Sequence, residues 1–152
     1  MAIAIVSTVI TTDDKILMVQ EGGKDNFGLW NIPSGGIEQG ENIVEASIRE
    51  VKEETGYNVK VLGLTGVYNF ISQIGNHLVR FNFVSEIIDG DINFDGEDII
   101  NAKWFTFEEV LNMEDKKLWN GNSIKKIIED VKLNKRYPFE LIKEVRCQLR
   151  RG

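Results

Sequence analysis

Residues 2–10 and 15–20 are rich in Ile and Val, with Thr12-Asp13-Asp14 between them. Two β-branched runs around a polar turn predict a pair of strands joined by a hairpin. A glycine-bearing loop follows, EGGKDNFGLWNIPSGG, and then the period changes. Val44, Ile48, Val51 and Thr55 recur at i, i+4, i+7 and i+11, which predicts a helix over about 43–55. Asn42 stands at its N-cap, Glu45 at the third helical position and Gly56 at its C-cap. Further β-prone segments fall at 58–64, 66–71 and 77–88, with a short one at Lys103-Trp104-Phe105. Thr106 and Glu109 have the spacing of a capping box that opens a short helix. Ile124, Ile127, Ile128 and Val131 mark a longer amphipathic helix beginning near Asn122 or Ser123, and the tail after Pro138 reads as helical. Strands flanking one central helix, with more helices at the end, predict an α+β domain layered as an α/β/α sandwich. Nothing in the composition marks a linker, so residues 1–152 read as a single domain.

At 152 residues and 42% hydrophobic, the chain can bury a true core. A formal net charge of −6 repels nucleic-acid backbones and anionic lipid, which argues against a nucleic-acid polymer or a membrane surface as partner. Asp13 and Asp14 end the N-terminal apolar run far short of a membrane span. The single cysteine, Cys147, cannot form an internal disulfide or a zinc cluster, and a lone thiol fits a reducing, cytoplasmic location.

The helix over 43–55 carries an anomaly. Val44, Ile48 and Val51 point one way, while Glu50, Glu53 and Glu54 cluster roughly 130° round the wheel. Like charges three and four residues apart cost roughly 0.2–0.5 kcal/mol per pair. Converging carboxylates are, however, the donor set of a hard divalent cation such as Mg²⁺, which fills its other positions with water and substrate phosphate. Arg49, four residues from both Glu45 and Glu53, can hold a carboxylate in place. Ala46, between Glu50 and Glu53 on the wheel, leaves room for an approaching group.

Gly35, Glu41, Arg49-Glu50, Glu53-Glu54 and Gly56, at these offsets, resemble the signature of the Nudix (MutT-type) pyrophosphohydrolases over the 23 residues Gly35 to Tyr57. Seven specified residues would coincide by chance at roughly 10⁻⁹ to 10⁻⁸ per start position at average compositions. Two departures stand out: Tyr57 where an aliphatic residue is usual, and Ser34 where a further glycine is common. The resemblance implies a Nudix-type mixed sheet with a central catalytic helix and C-terminal helices. It implies Glu50, Glu53, Glu54 and the carbonyl of Gly35 as metal ligands, braced by Glu41 and Arg49. The metal expected is Mg²⁺, with Mn²⁺ as a substitute, and the reaction is water attack on the pyrophosphate link of a nucleoside diphosphate joined to another group. Glu50 and Glu97 both stand as the general base, with Arg49 beside them in the catalytic set. A homodimer is an arrangement common in that family.

Phe27, Trp30, Phe70 and Arg80 are the substrate-binding candidates, the three rings because they can stack a base. Two subgroup markers, a proline about fifteen residues after the box and a tyrosine slightly beyond, are missing, since residues 72–76 read Ser-Gln-Ile-Gly-Asn. That leans the reading towards (deoxy)nucleoside triphosphates, damaged ones included. The rival from another class is a nucleotide-binding sensor of the same fold without turnover. DINFDGEDIINA matches half of a calcium loop but ends on Ala102 where a bidentate Glu is needed, so it reads as a polar turn. His77, the only histidine, reads as a strand-entry residue, and Gly22-Gly23-Lys24 lacks a full phosphate-loop pattern.

Overall fold

The computed structural model describes residues 1–150. They form strands β1 (Ile3–Thr12), β2 (Lys15–Glu21), β3 (Trp30–Asn31) and β4 (Ser34–Gly36), then helix α1 (Ile43–Thr55). Strands β5 (Tyr57–Ile71), β6 (His77–Gly90) and β7 (Ile99–Thr106) follow, with helices α2 (Phe107–Leu111) and α3 (Gly121–Lys132) after them. The hairpin, α1 and the capping box on Thr106 fall where the sequence places them. The two segments read at 58–64 and 66–71 are one strand. Register shifts at Asn58/Val59, Val61/Gly63 and Leu64/Gly66 bend β5 without ending it. β7 extends four residues before Lys103 because it pairs with β2 from Ile99 onward. The tail after Pro138 makes only a 3-10 turn, Phe139–Leu141, so the helix expected there is corrected. α3 starts at Gly121, just ahead of the expected Asn122.

β1 organises the sheet. It runs parallel to β6 from Ile3 to Ile10, takes β4 antiparallel through Val6 and Gly35, and turns into β2 at its far end. β2 in turn pairs with β3 and β7. Alternating side chains send Val9, Ile16 and Met18 to a core closed by Ile124, Ile127 and Ile128 of α3. Ile10 and Leu17 go to the opposite face, where Val51 of α1 meets them. Helices thus cover both faces of a mixed sheet, the layered α+β architecture expected. Among the described residues no helix is long and apolar enough to cross a membrane.

Past α3 the chain crosses the edge of β5 from one helical layer to the other. Tyr137 and Leu64 exchange two backbone hydrogen bonds of 2.8 Å each. Gly63 permits this approach, since a Cβ there would sit 2.4 Å from Arg136 Cγ. Phe139 and Ile142 then pack beside Ile43, Val44 and Ile48, and the Glu144 carboxylate accepts the Ile43 N–H at 3.1 Å.

α1 is stopped by Gly56, at φ 84°, whose N–H donates to the Lys52 carbonyl at 3.0 Å. A Cβ on Gly56 would also lie 2.2 Å from the Asp91 carbonyl oxygen. Gly56→Ala is therefore expected to cost more than the ~1 kcal/mol of conformational preference alone. Urea denaturation of the two proteins checks this, with unchanged midpoints counting against it.

Candidate functional site

α1 lies against β4 so closely that a Cβ on Gly35 would fall 2.2–2.4 Å from the Glu50 carboxylate atoms. Glycine is the one residue that fits. Ala46 is fully buried, so its small side chain lets the helix lie close and does not leave the opening read from the sequence. Glu50 is held at 14% side-chain exposure, whereas Glu53 stays 56% exposed.

Arg49 ties the acidic face together. Its Nε and Nη2 donate to the two oxygens of Glu41 at 2.7 and 2.9 Å, the bidentate fork. Nη2 also reaches the Gly36 carbonyl at 3.0 Å, and Nη1 reaches Glu50 at 2.8 Å and both Glu53 oxygens at 3.3 Å. The bond from Arg49 holds the Glu41 carboxyl below its usual range. Burial pushes Glu50 the other way, offset in part by the same guanidinium.

Glu54 turns towards β4, where the Ser34 N–H donates to it at 2.8 Å. Burial raises its pKa well above the ordinary carboxylate value, and the nearby charges of Glu21 and Glu50 add to the effect. From Ser34 a buried polar network runs inward. The Asn31 amide donates to Ser34 Oγ at 3.0 Å and to Glu21 at 3.1 Å. Arg80 donates to Asn31 at 3.3 Å and to Ser7 at 2.7 Å, and its guanidinium lies 5.3 Å from the Trp119 ring centroid. Arg80 has no exposure at all, and its Nη1 lacks a hydrogen-bond partner. Burial pushes its pKa below the usual guanidinium range.

The other sequence candidates scatter. Phe27 lies 69% exposed on the loop before β3. Trp30 stacks edge-on to Phe105 at 5.0 Å and packs into the α3-side core, so its ring anchors the fold. Phe70 meets Trp119 edge-on at 6.3 Å. Arg80 is enclosed within the sheet as an internal brace of this network. Glu97 is exposed in the turn before β7, where Asp95 accepts the N–H groups of Glu97 and Ile99 at 2.9 and 3.1 Å. That Asp95 bonding makes DINFDGEDIINA a polar turn. His77 opens β6, its ring against Asn69. Glu21, Asn31, Ser34 and Trp119 are the participants that sequence reading missed. The compact LWNIPSGG run pointed at Asn31 and Ser34, and no local pattern pointed at Glu21 or Trp119.

Do these residues fit a divalent cation? The donors are hard oxygens, two of the carboxylates are desolvated, and Gly35 leaves its backbone open beside Glu50. Among the described residues no three acidic, His or Cys side chains already converge on one point, because Arg49 engages Glu50 and Glu53 while Ser34 engages Glu54. The donor chemistry fits, with Arg49 serving as the resident cation of this arrangement.

A family model, the NUDIX domain, matches residues 1–127. The chain belongs to the NUDIX family. It is 35% identical over 101 residues, 66% of its length, to the ADP-ribose pyrophosphatase of Methanocaldococcus jannaschii. It is 34% identical over 97 residues, 63% of its length, to a putative 8-oxo-dGTP diphosphatase of Bacillus subtilis. The match spans 59% and 60% of those two relatives' own lengths, and 26% of a third relative's. Among solved structures, a NUDIX hydrolase from Nitrosomonas europaea superimposes with a TM-score of 0.87 at 31% identity, covering 95% of this chain and 98% of that one.

Because the folded-state pKa of Glu54 is raised, the fold favours its protonated form. Its contribution is complete below the unfolded value near 4.5 and is lost as pH rises through the folded value. Glu54→Gln, which keeps an acceptor for Ser34, is expected to melt above wild type at pH 8 without divalent metal. The two melting temperatures should converge below about pH 4.5. A lower melting temperature for the variant at pH 8 contradicts this reading.

Proposed function

We propose that this protein hydrolyses the pyrophosphate bond of a nucleoside diphosphate linked to another group, with Mg²⁺ as cofactor and Mn²⁺ as its substitute. The observation that carries the proposal is the acidic face of α1 pressed against Gly35 and gathered by one arginine, inside the stretch matched by the family model. Glu50, Glu53, Glu54 and the Gly35 carbonyl are assigned as the ligands of the cation. Bound there, such a cation neutralises phosphate oxygens and lowers the pKa of attacking water. Arg49 positions Glu50 and Glu53, and Glu41 positions Arg49 in turn.

Glu50 is the stronger assignment for the base. It is half-enclosed, oriented by Arg49, and its pKa is raised towards the working range. Glu97 sits exposed in a turn, and its backbone crowds Gly22 next to Glu21. Glu50→Gln is expected to lower kcat by about 10² or more, and Glu97→Gln by less than about tenfold. Single-turnover rates on one substrate check this, and the reverse order would transfer the role to Glu97.

Two substrate classes compete. The missing proline and tyrosine markers favour (deoxy)nucleoside triphosphates, damaged ones included, and the name of the B. subtilis relative agrees. The name of the M. jannaschii relative favours ADP-ribose. A phosphate-release screen over both classes, with and without Mg²⁺, tests the activity. Turnover that survives chelation, or the double change Glu53→Gln with Glu54→Gln, removes the mechanism. Tight nucleotide binding without turnover would make the protein a sensor.

A further inference from the structure

Where the crossing segment reaches the first turn of α1, the two leave a hollow of about 680 Å³ between them. Val44 lines it from α1, Phe139, Ile142 and Val145 from the tail, and Glu45 and Glu140 lie among these apolar groups. Neither carboxylate has an ion-pair partner among the described residues. Beyond the hollow the sequence has a helical period that the fold leaves unused. Leu141, Ile142, Val145 and Leu149 would share an arc of about 100° on a helical wheel, with Lys143, Arg146 and Arg150 grouped beside it. Residues 143–150 nevertheless have no regular secondary structure, and Leu141, Val145 and Leu149 are 62, 78 and 91% exposed. A helix this short is marginal unless its apolar face is buried, and within its own chain this stripe stays uncovered.

Charge selects the cover. Lys143, Arg146 and Arg150 also lack ion-pair partners among the described residues. Residues 135–152 hold six of the 18 Lys and Arg residues and only two Glu, so the net charge of −6 is concentrated in the body of the molecule. An anionic lipid surface that attracted the tail would be repelled by that body. An apolar hollow with unpaired carboxylates suits a basic apolar tail, and every copy of the chain carries both. The tail is poorly placed to fill its own hollow. Leu149 follows Val145 by four residues, and a reversal within Arg146-Cys147-Gln148 would be made without Gly, Pro, Asn, Asp or Ser.

We propose that two copies of this chain pair reciprocally through their C-terminal tails, each laying Leu149 in the hollow of the other and setting Arg146 and Arg150 against the partner's Glu45 and Glu140. The contact is two-fold and self-complementary, so both halves form together. Sedimentation of the wild-type protein is expected to show a dimer at micromolar concentration. Leu149→Asp, the pair Arg146→Glu with Arg150→Glu, and the pair Glu45→Lys with Glu140→Lys are each expected to weaken it about tenfold or more. Mixing the last two variants exchanges the charges on both halves of the contact at once. A heterodimer is therefore expected where neither variant pairs with itself, and its formation shows that both are folded. Variants that dimerise like wild type, or a mixture that stays monomeric, overturn the proposal. A monomeric wild type overturns it too, and if that monomer binds anionic phospholipid vesicles through Arg146 and Arg150, the tail is assigned to lipid instead. Association is read without turnover, so failure of the pyrophosphohydrolase reading leaves this test intact.

Discussion

The guanidinium of Arg49, shared among Glu41, Glu50, Glu53 and the Gly36 carbonyl, is the interaction on which the acidic face of α1 depends. Glu41 and Glu50 are only 15% and 14% exposed, and carboxylates so enclosed repel one another and lose hydration. A planar cation with five donors can answer several of them at once, which an ammonium cannot do with the same fixed geometry. The same guanidinium fixes the orientation of Glu50, so the cohesion of the acidic face and the aim of that carboxylate come from one side chain.

Two glycines and two strands do the remaining positioning. β1 carries β4 across the sheet, β4 presents Gly35 to Glu50, and Gly56 ends α1 just after Glu54. Glu54 is therefore delivered to the Ser34 amide rather than to water. Behind it, Asn31 and Arg80 extend the polar network into the core, and Trp119 covers it from the α3 side.

The periodic parts of the molecule were legible in the sequence. The hairpin, α1 with both caps, the box on Thr106 and the face of α3 all announce themselves through spacing, because local hydrogen bonding and burial repeat every few residues. β3 and β4 were invisible as strands, being two and three residues long and defined only by their partners. The box carboxylates and Arg49 were read from their offsets, and the structure brings Arg49 together with Glu41, Glu50 and Glu53. The enclosure of Arg80 was not legible, because nothing in a run such as HLVRFNF tells which alternating residues face inward once both sheet faces are covered. Glu21 and Trp119 gained their neighbours through contacts distant in sequence, which no local pattern encodes.

The crossing segment after α3 has a consequence for how the molecule meets others of its kind. β5 is an outermost strand, and an open strand border invites another chain to add itself to the sheet. Tyr137 occupies that border at Leu64 and Arg136 crowds Gly63, so the middle of the strand is already spoken for by its own chain. Residues past the family match thus act as a guard rail against unwanted sheet extension while steadying the first turn of α1.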